Sequence, residues 1–145
     1  LLAKLGPEPL EPGFDADYLF RRTRGRRVAV KILIMNSQVV VGVGNIYASE
    51  SLFRAGIRPG RAAKSLTREE CAALVKAIRA VLSMAIRHGG TTLRDYVGAG
   101  GEPGYFKQKL YVYERAGEPC RKCGEPVKHR VQGQRATYWC GTCQH

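Results

Sequence analysis

Apolar residues recur at helical spacing through most of the chain, from Asp15 to Gly90. The clearest run is Cys71, Leu74, Val75, Ile78, Val81, Leu82, Ala85 and Ile86. These fall at i, i+3, i+4 and i+7, which makes one apolar helix face. Thr67-x-x-Glu70 ahead of it is a capping box, and Leu66 can staple against Cys71. Arg87 and His88 suit the negative end of the helix dipole, and Gly89-Gly90 ends the element. Cys71 lies on the apolar stripe and reads as core rather than as a nucleophile or ligand. An earlier helix is predicted through Tyr18, Leu19 and Phe20, capped by Asp15 or Asp17. A second is predicted from Val28 to Met35. Its two apolar runs also fit a buried strand, and the helical neighbours favour the helix.

Between these elements lies Val39-Val40-Val41-Gly42-Val43-Gly44-Asn45. Two glycines two apart permit two tight turns, because glycine takes positive φ without strain. A third helix, Ile46 to Ala55, follows and stops at Gly56. Asn45 reads best as its N-cap. The alternative is a phosphate site, where helix N-terminal amides and an Asn side chain donate together.

The C-terminal third changes period. Lys107 to Tyr113 alternates as a strand. Val127-Lys128-His129-Arg130-Val131 and Ala136-Thr137-Tyr138-Trp139 are β-rich, with Gln132-Gly133-Gln134 as the turn between them. Two pairs of cysteines bracket this hairpin: Cys120-x2-Cys123 and, after sixteen residues, Cys140-x2-Cys143. Two knuckles at this spacing complete the tetrahedral thiolate site that structural Zn²⁺ prefers. All four ligands come from protein, so no position is left for a reacting water. A pair of disulfides is the alternative, and the fifth cysteine and the basic balance argue for a reducing compartment instead. A hairpin this small buries too little to fold alone, so one zinc ion supplies much of its folding energy.

Composition adds a partner. The 145 residues carry 24 Lys and Arg against 12 Asp and Glu, a formal net charge of +12. A Cys₄ zinc site has a net charge of −2, which leaves the metallated chain near +10. That excess favours a polyanion, above all nucleic acid, over a merely basic surface. No apolar run approaches the ~20 residues that span a membrane. Residues 1–14 open on Leu1-Leu2, with no Met, and hold Pro7, Pro9, Pro12, Gly6 and Gly13. They read as a linker, and the chain as the back part of something longer. Residues 89–106 hold six glycines and read equally as a functional lid or as a connector.

VVGVGNIYASESLF (40–53), GGTTLRDYV (89–97), PGYF (103–106), LYVYERAGEPCRKCG (110–124) and QRATYWCGTCQ (134–144) together resemble the C-terminal part of bacterial formamidopyrimidine-DNA glycosylases. The resemblance covers essentially the whole chain. It implies a mainly α fold: a helix–two-turns–helix bundle over 15–106, followed by a small β-hairpin zinc ribbon over 107–145. It implies that Asn45 and Arg135 contact the DNA backbone beside a lesion, with Lys31 and Tyr113 as further contacts. It places the reading of an everted 8-oxoguanine on backbone groups of Thr91, Leu93, Arg94, Asp95 and Tyr96, after base flipping.

The family's catalytic residues are an N-terminal proline, a glutamate and a lysine of an N-terminal domain. No residue here matches them. Pro7 is internal, its nitrogen is an amide, and no catalytic residue is carried over. The expectation is a DNA-binding, monomeric, bacterial cytoplasmic fragment of a glycosylase/AP lyase for oxidised purines, inactive by itself and acting on nucleoid DNA. An endonuclease VIII-type relative for oxidised pyrimidines is the near alternative, against which the GGTT…PGYF loop argues. A zinc-ribbon RNA- or DNA-binding module and a zinc-stabilised protein-interaction domain are alternatives of other classes. The ribbon and the helices are expected to have separate cores.

Overall fold

The computed structural model describes residues 5–87 and 110–145. Among the described residues four α-helices come first: α1 (Ala16–Thr23), α2 (Val30–Met35), α3 (Asn45–Ala55) and α4 (Arg68–Arg87), with a 3₁₀ turn at Ala63–Ser65. An antiparallel hairpin follows, β1 (Lys128–Gln132) and β2 (Arg135–Trp139). This is a helical bundle with a ribbon behind it. Among the described residues no helix is long and apolar enough to cross a membrane.

The caps predicted for α1 and α4 and the stop predicted for α3 form. Asp15 accepts from the Tyr18 amide and starts α1. Thr67 and Glu70 exchange side-chain-to-backbone bonds of 3.0 and 2.9 Å ahead of α4. Gly56 ends α3 in the left-handed region, at φ 76°. α4 packs against both α1 and α3. Cys71, Leu74, Val75, Ile78, Val81 and Ala85 go into the main core, as the stripe requires, whereas Ile86 stays half exposed.

Three local expectations are corrected. α2 begins at Val30 rather than Val28, because Ala29 forms a bridge with Ala62 and the Val28 carbonyl accepts from the Ala63 amide. Asn45 is the first helical residue and not the N-cap. Gly44 holds the cap position in extended backbone, so of the two glycines only Gly42, at φ +91°, uses the left-handed region. Of the strand expected over 107–113, residues 107–109 lie outside the described residues; residues 110–113 are not a strand, and the amides of 111–113 turn onto a side chain of α3, described below.

Residues 5–14 carry no regular element but are tied to the bundle. The Gly6 amide donates to the Ser37 carbonyl, and the Pro7 carbonyl accepts from the Val41 amide. A Cβ on Gly6 would lie 2.5 Å from the Val39 carbonyl oxygen, so only glycine passes there. Phe14 is fully buried, and the Arg79 guanidinium gathers the carbonyls of Pro9, Glu11 and Phe14.

The described residues form two apolar clusters. The larger runs from Phe14 to Ala85 and takes in Leu110. The smaller holds Val112, Cys120, Val127 and Cys140, and it is completed by Phe53 from α3. The ribbon therefore has its own core, closed by one helical side chain.

Candidate nucleic-acid interface and metal centre

The four knuckle sulfurs lie within 4.8 Å of one another. Cys120 and Cys143 are 3.8 Å apart, and Cys123 and Cys140 are 3.5 Å apart. Ligands about 2.3 Å from a tetrahedral zinc sit about 3.8 Å from each other, so the donor set and its size both fit Zn²⁺. Backbone amides of Lys122 and Cys143 point at Cys120 Sγ and Cys140 Sγ, each at 3.4 Å, which offsets thiolate charge. The chain thus carries one structural zinc site.

Among the polar contacts that hold the ribbon to the bundle, three involve buried side chains. At the first, Glu50 on α3 is buried and accepts the amides of Tyr111, Val112 and Tyr113 at 2.8, 2.9 and 2.9 Å. Burial pushes its carboxyl up in pKa, and the three amides pull against that. At the second, Gln144 is fully buried; it accepts from the Cys140 amide and donates to the Ile57 carbonyl, 2.8 Å each.

The third junction is the DNA-contact candidate. Lys31 Nζ donates to Thr137 Oγ1 at 2.7 Å and to the Ala136 carbonyl at 3.2 Å. Asn45 Nδ2 donates to that same carbonyl at 3.0 Å. One oxygen of β2 therefore receives a donor from α2 and another from the first turn of α3. Lys31 is 1% and Asn45 4% exposed, while Arg135 projects into solvent at the start of β2. Burial first, and the nearby Arg135 guanidinium second, bring the Lys31 ammonium down from 10.5 to about 8. Tyr113 is half buried beside Asn45 and packs edge-on against Tyr138, ring centroids 5.3 Å apart. Its hydroxyl does not satisfy Asn45 Oδ1, which is buried with no hydrogen-bond partner.

The structure therefore gathers Lys31, Asn45, Tyr113 and Arg135 at one seam. Beside it Lys31, Met35, Gln132 and Arg135 help to line an open cavity of about 360 Å³. Donor capacity remains at Lys31, which uses two of its three N–H bonds. Thr91, Leu93, Arg94, Asp95 and Tyr96 lie outside the described residues. Sequence reasoning missed Glu50, Phe53 and Gln144. Glu50 did carry a signal, as the only acid in α3, at a position that turned out buried.

The profile of the formamidopyrimidine-DNA glycosylase H2TH domain matches residues 5–97. That of the zinc finger found in FPG and IleRS matches residues 117–145. A formamidopyrimidine-DNA glycosylase of Thioalkalivibrio sulfidiphilus is 67% identical over 144 residues, 99% of this chain and 53% of the relative. The crystal structure of the MutM (Fpg) protein from Thermus thermophilus superposes with a TM-score of 0.87 at 45% identity, covering 99% of this chain and 55% of that one. Lactococcus lactis Fpg, in complex with DNA containing an abasic site, superposes with a TM-score of 0.87 at 32% identity, covering 98% of this chain and 52% of that one. The chain spans about half the length of the curated relatives it matches.

Proposed function

The chain belongs to the formamidopyrimidine-DNA glycosylase family, and on that basis we propose that it is the DNA-gripping part of a base-excision-repair glycosylase/AP lyase for oxidised purines. The observation that carries this reading is the convergence of Lys31, Asn45 and Arg135 on the Ala136 segment. Arg135 makes the outermost phosphate contact. Lys31 and Asn45 set the hairpin's position, and Lys31 offers its remaining N–H bond to the same stretch of backbone. Tyr113 supports Asn45 from behind. Phosphate contacts of this kind position the protein on any duplex and carry no sequence information.

Removal of an oxidised purine, strand cleavage at the abasic site and lesion reading by 91–96 belong to the same proposal, as properties of the family's full-length protein. The chain is proposed to act as a monomer in the bacterial cytoplasm, on nucleoid DNA. No catalytic nucleophile is assigned within it, since the Pro7 nitrogen is an amide. The zinc ion supplies no chemistry beyond holding the ribbon.

The test is borohydride trapping on an 8-oxoguanine·cytosine duplex, run beside a gel shift. A shifted band without covalent adduct is expected. A trapped adduct would place an amine nucleophile in this chain and overturn the division of labour. No shift with any duplex would overturn DNA binding itself.

A further inference from the structure

A second cavity, of about 220 Å³, lies between the bundle-facing side of the hairpin and the turn from Arg58 to Arg61. Arg130, Gln132 and Trp139 complete its lining, and no acid is among the lining residues. Its three arginines differ in what they are free to do. Arg61 is paired in bidentate fashion with Glu70, both contacts at 2.9 Å. Arg58 is held by the carbonyls of Gln144 and Gly141, which fix its position, and it is in no ion pair among the described residues. Arg130 is exposed and, among the described residues, has no hydrogen-bond or ion-pair partner. The half-buried Trp139 indole N–H likewise has none there.

Gln132 lines both this cavity and the one beside Lys31 and Arg135. The two cavities therefore meet along one side of the hairpin. Arg130 is one same-face step down β1 from Gln132, about 7 Å, and Gln132 pairs with Arg135 across the strands. A backbone held at Arg135 passes Gln132 and reaches Arg130.

Resting on the DNA-binding reading above, we infer that this cavity is a second nucleic-acid contact, which takes one sugar–phosphate unit. Arg130 receives the phosphate and the Trp139 indole packs against the sugar. Arg58 adds charge from behind. An unpaired guanidinium beside an aromatic face is the combination that tracks a nucleic-acid backbone without reading sequence.

Trp139 is the chain's single tryptophan, so its emission reports on this cavity alone. The experiment titrates labelled duplex DNA into the zinc-loaded chain and follows label anisotropy and Trp139 emission together. Both are expected to saturate at one midpoint. Arg130→Ala is expected to weaken binding several-fold and to reduce the slope of log affinity against log salt by about 0.9, with zinc content and circular dichroism unchanged. Arg130→Lys is expected to restore the slope. Anisotropy that titrates while Trp139 stays silent, or an Arg130→Ala chain with unaltered affinity and slope, would overturn the inference and leave DNA binding standing. Absence of any anisotropy change would sink the DNA-binding reading, and this inference with it. Inorganic phosphate or deoxyadenosine monophosphate moving the emission as far as duplex does would make this a small-anion site and overturn the backbone assignment.

Discussion

The Lys31 ammonium sits behind the hairpin, held by Thr137 Oγ1 and the Ala136 carbonyl. Burial and Arg135 lower its pKa to about 8 from 10.5. Below pH 8 the ammonium is charged in both folded and unfolded chains, and the folded state bears the cost. Between pH 8 and 10.5 the folded chain gives up this proton first, so stability from this group rises with pH. DNA affinity should move the other way, since a positive charge is lost. Denaturation midpoints and duplex affinities taken from pH 7 to 9.5 should show both trends, and Lys31→Met should flatten both. A wild-type chain whose stability difference from Lys31→Met does not change across that range would refute the assignment. Glu50→Gln gives a second residue-scale expectation. A Gln places an NH₂ where at least one of three amides now finds oxygen, so urea unfolding should show a loss of about 2 kcal/mol.

The hairpin is the element under most local constraint. Gly133 and Gln134 both have positive φ, 60° and 69°, as a two-residue type I′ turn requires. Glycine relieves the strain at the second position and adds unfolded-state entropy, so Gln134→Gly should raise stability by a net of about 0.5–1 kcal/mol, seen as a higher melting temperature. At the other end of the ribbon, Cys140→Ser or chelation removes the zinc. The larger cluster draws no buried residue from 111–145, so helical circular dichroism should largely persist while amide protection in 117–139 is lost. Collapse of the helical signal would show that the junctions at Glu50, Gln144 and Lys31 make one cooperative unit. Phe53→Ala separates these cases, because it removes the helical side chain that closes the ribbon core. A cost of about 3–5 kcal/mol, confined to ribbon amides, is expected.

For the whole molecule the formal net charge, +12 before the zinc site is counted, is the dominant long-range feature. Lys31 and Arg135 should each contribute about 0.9 to the salt slope of duplex binding, so a total near −2 or steeper is expected. Arg135→Ala should weaken all duplex sequences alike. Selective loss on one sequence would show a base contact in place of a phosphate contact.

Much of this was legible in residue order, because the forces involved are local. Helix periodicity placed α4, the capping box and Gly56 placed helix ends, and CxxC spacing placed the metal centre. These depend on residues within a few positions, or on a spacing that one ion imposes. The family resemblance also marks Lys31, Asn45, Tyr113 and Arg135 as a group. The sequence could not show that Lys31 and Asn45 share one carbonyl of β2, 91 or more residues away. Nor could it show that Glu50 gathers three amides 61 to 63 residues downstream. The alternation over 107–113 reads as a strand because Leu110 and Val112 are apolar at alternate positions, and both are indeed buried. They enter different clusters, and the amides of 111–113 go to a carboxylate instead of a neighbouring strand. Which partner a buried donor or acceptor finds is decided by how the elements pack, and desolvation then makes that partner obligatory.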